Sequence, residues 1–442
     1  MASPHVFQRA SAASLPIAVG GDGIAILTKD GRRVIDGCGG AAVSCLGHAD
    51  RTVTEAIKAQ LDTLPYAHTG FFTTEPAEAL ADILIAKAPE GIAKVYFVSG
   101  GSEAAESAIK LVRQYFLEKG EDRSKIIARR QSYHGNTLGA LAAGGNEWRR
   151  AQFAPFLSDA FSHIAPCHHW RWGEAGESAE AYGRRVADEL EAEILRLGPE
   201  TVGAFMAEPV VGATMGAVPA VSGYFARIRE ICDKYGVLLV LDEVMCGMGR
   251  TGELFASEHD GVRPDIVLIA KGLGAGYQPI GAMLVSAEIH DTIASGSGFF
   301  QHGHTYIGHP TACAGGVAVM KRIEEGNLLQ NVQARGAQLR EGLEARFGQH
   351  PHVGDIRGRG LFQGMEFVAD RDTKEPLPRA RKTHAKIKAE AMKRDLMVYP
   401  MGGSIDGANG DHLIVAPPFI ATAADIDEIV GRLGEAVDAA LS

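Results

Sequence analysis

Positive charge is scarce in this sequence: 44 Lys and Arg stand against 54 Asp and Glu, a formal net charge of -10. Affinity for phosphate backbones draws on an excess of Lys and Arg, so the balance argues against a nucleic-acid partner. Long apolar runs are missing too. No stretch approaches the roughly 20 residues needed to cross a bilayer, and residues 1–9 lack the basic cap and apolar run of a secretory leader. No membrane association is expected. Cysteine is sparse and scattered: Cys38, Cys45, Cys167, Cys232, Cys246 and Cys313 form no CxxC pair, which fits reduced thiols in the cytoplasm better than a disulfide framework. Metal-ligand spacing is absent as well. Cys167-His168-His169-Trp170 and His302-Gly303-His304 come nearest, but neighbouring residues rarely aim at one ion, and no metal is expected. A dinucleotide site would need GxGxxG after the first strand and an acid about 20 residues on; neither is found.

What is present suits a soluble globular protein long enough for two cores: 442 residues, 46% hydrophobic and 22% charged. Residues 24–36 read as a hairpin, Ile24-Ala25-Ile26-Leu27 and Arg33-Val34-Ile35-Asp36 about a Lys29-Asp30-Gly31 turn. Between residues 76 and 329, apolar runs at 94–98, 125–128, 202–207, 237–241, 266–270 and 282–285 alternate with amphipathic helices. That alternation predicts an α/β domain with a mostly parallel sheet. A long helical stretch, strands near 360–367 and 396–399, and a helix from 424 onward follow. The expected division is a segment 1–75, a large domain 76–329, and a stretch 330–442 that joins the first segment in a small α+β domain.

Three strand ends carry polar residues. Val98-Ser99-Gly100-Gly101-Ser102-Glu103 leads from a strand into a helix at 103–118 with apolar Ala104, Ala108, Leu111 and Val112. Free N–H groups and the helix dipole at such a junction favour an anion, although a serine there also serves as an ordinary N-cap. The run 237–241 ends in Asp242 and Glu243, where open sheets collect ligands; Asp242 equally suits capping the next loop. The run 265–270 ends in Lys271. A desolvated lysine is a nucleophile for Schiff-base chemistry, while an exposed one merely snorkels from the sheet.

An anion site, an acid and an amine at one sheet edge match what pyridoxal 5'-phosphate requires: a phosphate cup, a partner for the ring nitrogen and an amine for the aldehyde. With these segments the sequence resembles the class III aminotransferases of fold type I, from about residue 24 to the last helix. The resemblance implies roles. Gly101 and Ser102 match the phosphate cup, with Gly100 where many members have serine. Tyr133 and His134, in Ser132-Tyr133-His134-Gly135-Asn136-Thr137, match the segment whose aromatic ring covers one cofactor face, with Val244 on the other. Glu208 matches the acid bordering the pocket, Asp242 the ring-nitrogen partner and Lys271 the Schiff-base lysine that also serves as base. Thr305 matches a residue that reaches the phosphate of a neighbouring subunit, which implies a homodimer.

The resemblance also bears on substrates, a small-molecule amino donor and a keto-acid acceptor. Ala213 and Met245 replace a glutamate and a glutamine common in members acting on ornithine or 4-aminobutyrate, and segments 276–281 and 410–418 look like the omega-amino-acid or amine:pyruvate branch. Tyr399 stands where that branch often carries a mobile arginine. Ala41, Ala42, Ser44 and Cys45 are expected to line the pocket and leave room for a bulky donor. Arg250 is expected in an architectural ion pair. The lysine and acid alone would also serve a decarboxylase, racemase or aminomutase, and a non-catalytic binding protein is the reading from another class.

Overall fold

Three short strands, β1 (Ala18–Asp22), β2 (Ala25–Thr28) and β3 (Arg33–Asp36), form an antiparallel meander. β2 and β3 are the expected hairpin, and β1 extends it. They belong to a computed structural model that describes residues 5–10 and 14–442; of the stretch read for a leader, residues 1–4 lie outside the described residues.

The central sheet has seven strands. They are β4 (Ile92–Val98), β5 (Lys125–Arg129), β6 (Phe161–Ile164), β7 (Val202–Ala207) and, after a ribbon of β8 (Val210–Val211) with β9 (Val218–Pro219), β10 (Leu238–Asp242), β11 (Ile266–Ile269) and β12 (Gly281–Ser286). Their spatial order is β4-β12-β11-β10-β7-β5-β6. Every residue of β7, β10 and β11 is buried, as in strands covered by helices on both faces. Strand alternation sorts the side chains: Ala204, Met206, Val240 and Leu268 pack with helix Gly101–Glu118, and Phe205, Leu239 and Leu241 with helices Ala179–Leu197 and Tyr224–Tyr235.

β12 runs antiparallel to both its neighbours, and the other adjacent pairs are parallel. Its connection from β11 spans only residues 270–280, short of the dozen or so that a crossover needs, so the chain can only double back. Strands β4, β5, β7, β10 and β11 therefore point the same way and open at one carboxyl edge.

The remaining strands are β13 (Val353–Arg359), β14 (Phe362–Phe367), β15 (Leu396–Met397), β16 (Tyr399–Gly402) and β17 (Asp411–Val415). A second antiparallel sheet runs β13-β14-β17-β16, whereas β15 lies parallel beside β3. The strand expected at 396–399 is thus divided. Leu396 and Met397 complete the amino-terminal meander, buried Val398 is the crossing point, and Tyr399 begins pairing with β17. Beneath, Ile24, Ile35, Leu46 and Val53 share one apolar cluster with Leu339, Leu343, Leu413 and Leu433.

Arg250 corrects another expectation. It is buried, yet no carboxylate pairs with it among the described residues; instead Nη1 donates to the carbonyls of Leu361 at 3.0 Å and Pro417 at 2.6 Å, and the guanidinium lies 4.5 Å from the Phe419 ring centre. Burial draws its pKa down to about 10, against the opposing pull of Cys45, Asp36 and Cys38.

Candidate active site

The carboxyl edge of the central sheet opens onto a cavity of about 810 Å³. After β4 the chain turns through Ser99 and Gly100 into helix Gly101–Glu118, whose first bond runs from Ala104 N to the Gly100 carbonyl at 3.0 Å. The N–H groups ahead of Ala104 have no helical acceptor. Gly101 and Ser102 line the cavity beside them. A Cβ on Gly101 would stand 2.7 Å from Val244 Cγ1, so only glycine lets Val244 close this wall. Across the cleft Asn136 N donates to Ser102 Oγ at 3.1 Å. A Cβ at Gly100 would meet nothing within 4 Å, so space does not exclude a serine there.

Asp242 ends β10 and is 3% exposed. One of its oxygens accepts from Val244 N at 3.0 Å, and the other lies 2.7 Å from His134 Nδ1. Burial works against charge on His134, but Glu208 and Asp242 together outweigh it and raise its pKa above the ordinary histidine value. Glu208 follows β7; it accepts from Tyr133 N at 3.0 Å and pairs with the Arg129 guanidinium at 3.3 Å. Tyr133 and His134 are thereby fixed from behind by two acids on neighbouring strands. Lys271 follows β11 with a φ of 41° and lines the same cavity as Asp242. Burial lowers its pKa, opposed by the charges of Asp242 and Cys246.

Of the residues anticipated for the site, Gly101, Ser102, Tyr133, His134, Glu208, Asp242, Val244 and Lys271 all line this one cavity. Thr305 does not: it is exposed, with its carbonyl accepting from Tyr66 Oη at 2.9 Å. Ala41 is on the wall as expected, and Ala213, Met245 and Tyr399 line it too, but Ala42, Ser44 and Cys45 do not, Ala42 and Cys45 being buried, and Val43 takes their place. The backbone there is irregular, with φ of 70° at Gly40, -150° at Ala41 and 61° at Ala42. Two arginines, Arg9 and Arg149, also line the cavity. Sequence reading gave no sign of them, since an arginine beside an aromatic on a short polar helix looks like surface.

The donor set fits pyridoxal phosphate. N–H groups without a helical acceptor at a helix start suit the phosphate, buried Asp242 suits a protonated ring nitrogen, and an amine with lowered pKa suits an aldehyde. Comparison with known proteins agrees. The model of the family described as aminotransferase class-III matches residues 7–437. An uncharacterised aminotransferase of Schizosaccharomyces pombe is 45% identical over 96% of this chain and 92% of its own length. A chloroplastic gamma-aminobutyrate transaminase 3 of Solanum lycopersicum is 36% identical over 94% of this chain and 79% of its own. Among solved structures, the omega transaminase of Pseudomonas jessenii in complex with PMP superposes with a TM-score of 0.92 at 33% identity, covering 99% of this chain and 96% of that one.

Proposed function

We propose, from the premise that this chain belongs to the class III aminotransferases and depends on pyridoxal 5'-phosphate, that it moves an amino group from an amine or omega-amino acid to pyruvate. One observation carries the reading: Lys271 and Asp242 face a single cavity beside the Gly101-Ser102 helix start. Ala213 and Met245 on the wall support the choice of branch.

When bound, the cofactor supplies an aldehyde carbon that exchanges amino groups and a ring that takes up the electron pair left on the donor carbon. Lys271 Nζ would hold that aldehyde carbon. Burial keeps more of this amine neutral, so when free it would have the lone pair to accept the proton from the donor carbon and deliver it to the former aldehyde carbon. Asp242 would hold the proton on the ring nitrogen, and His134 fixes the orientation of its carboxylate. Gly101 and Ser102 would bind the phosphate and Tyr133 and Val244 would bound the ring, while Glu208 anchors the Tyr133 segment.

The active assembly is a homodimer in which Thr305 serves the phosphate of the partner subunit. Exposed Phe71, Phe72, Phe299 and Tyr306 support such an interface. The division into 1–75, 76–329 and 330–442 draws support from the apolar cluster common to both ends. Six buried, unpaired thiols favour the cytoplasm, and among the described residues no helix is long and apolar enough to cross a membrane.

A donor screen followed by cofactor absorbance, run with pyruvate and with 2-oxoglutarate, tests the assignment. Pyruvate is expected to restore the starting spectrum after donor has reacted; recovery with 2-oxoglutarate alone would overturn the acceptor.

A further inference from the structure

Arg149 and Arg150 are neighbours with different surroundings. Arg150 Nη1 donates to the carbonyls of Leu141, Ala142 and Gly144, and Glu147 lies 4.0 Å away. Arg149 faces the cavity with almost nothing to bind. Among the described residues its side chain makes one hydrogen bond, to Met401 Sδ at 3.8 Å, a weak acceptor. Its Nε is buried without a partner, and no carboxylate pairs with it among the described residues. Its guanidinium lies 4.7 Å from the Tyr133 ring centre and 5.9 Å from that of Trp148.

The position is built, not incidental. Arg149 belongs to the short helix Glu147–Arg150, and its N–H donates to the side chain of Asn146 at 3.2 Å. Asn146 Nδ2 donates to Gln131 Oε1 at 2.8 Å, and Gln131 Nε2 to the Gly403 carbonyl at 3.0 Å. Buried amides therefore tie this helix to the loop that carries Tyr133 and to the segment after Tyr399. Arg9, exposed and likewise without an ion pair among the described residues, stands on the same wall. An arginine held against an aromatic ring keeps its planar fork oriented while its donors stay available, and the ligand such a fork matches best is a carboxylate.

Resting on the aminotransferase reading above, we propose that Arg149 binds the carboxylate of the keto-acid acceptor, taking from this wall the part that Tyr399 cannot take. Arg9 adds positive charge at the same wall without making the forked contact.

The test uses holoenzyme variants Arg149→Met, Arg149→Lys and Arg9→Met, with two readouts. One is kcat/KM for pyruvate divided by kcat/KM for propanal, an aldehyde of equal length without a carboxylate. The other is calorimetric Kd for propionate, a carboxylate that cannot react. Arg149→Met is expected to lower the ratio about tenfold or more, mainly through KM for pyruvate, and to weaken propionate by a similar factor. Arg149→Lys, which keeps charge but not the fork, should fall between. Equal losses with both acceptors, unchanged propionate binding, or a larger effect from Arg9→Met would each overturn the proposal. Propionate binding that depends on Arg149 in an enzyme unable to use pyruvate would refute the acceptor assigned above while upholding the carboxylate site.

Discussion

Lys271 sits in left-handed backbone, a region costing a non-glycine residue about 1 kcal/mol, at the point where β11 stops and the chain turns back toward β12. Strain of this kind persists where surrounding structure holds it, and it gathers at functional sites. Replacing Lys271 with Ala is expected to abolish turnover and the absorbance band of the lysine-bound cofactor, with thermal unfolding of the apoprotein shifted by only a few degrees. Lys271→Gly should be the more stable variant of the two by about 1 kcal/mol in urea unfolding; equal stabilities would show that the turn is unstrained. This residue was legible in the sequence because a single charge closes a fully apolar run. The bond between His134 and Asp242 was not, since 108 residues separate them and nothing local to either signals the other. Arg149 was hidden for a similar reason: what distinguishes it from Arg150 is the partners it lacks in space.

Elements carry the next level of control. The helix start at Gly101 and the loop after β10 interlock through Val244, so Gly101→Ala forces the new methyl against Val244 Cγ1. Overpacking of this order costs about 1–3 kcal/mol, and the expected result is a rise in the Kd for pyridoxal phosphate of about tenfold, reversed in large part by adding Val244→Ala. Titration of the apoenzyme measures both. The same loop carries buried Glu243, whose carboxylate accepts from Ala256 N and from Ser257 N at 2.9 Å. Burial raises its pKa to about 7 despite hydrogen bonds from Ser257 and Ala256. A carboxyl raised in the fold stabilises below its unfolded pKa, and that contribution is lost as pH climbs through the folded value. Hence wild type should lose stability from this group between about pH 4.5 and 7, whereas Glu243→Gln should not; urea midpoints at pH 5 and pH 8 decide. Strand positions in the central sheet were readable from apolar runs, although β6, half-exposed from residue 161 to residue 163, offered too little contrast. The reversal of β12 was recorded elsewhere, in the shortness of residues 270–280.

At the scale of the whole molecule, the two sheets meet through contacts that no single segment announces. Arg250 fastens the loop beyond β10 to Leu361 and Pro417, so Arg250→Met removes charged hydrogen bonds and leaves two carbonyls unsatisfied. A loss of about 2–4 kcal/mol is expected in urea unfolding; a change under 1 kcal/mol would mean that the clamp carries little. The expected ion pair failed because sequence shows that an arginine is present but not which oxygens surround it. The divided strand at Val398 was illegible likewise, its apolar pattern being uniform while its hydrogen-bonding neighbours change.

The cavity wall also has a consequence for how such a protein diversifies. Apart from Thr305, which is assigned to the partner subunit's site, the groups assigned to holding the cofactor and moving the proton lie between Gly101 and Lys271, whereas Arg9, Ala41, Val43 and Tyr399 reach the same space from the two ends of the chain. Mutations drifting through the termini can therefore retune which molecules are admitted while the reactive apparatus in the middle is inherited unaltered.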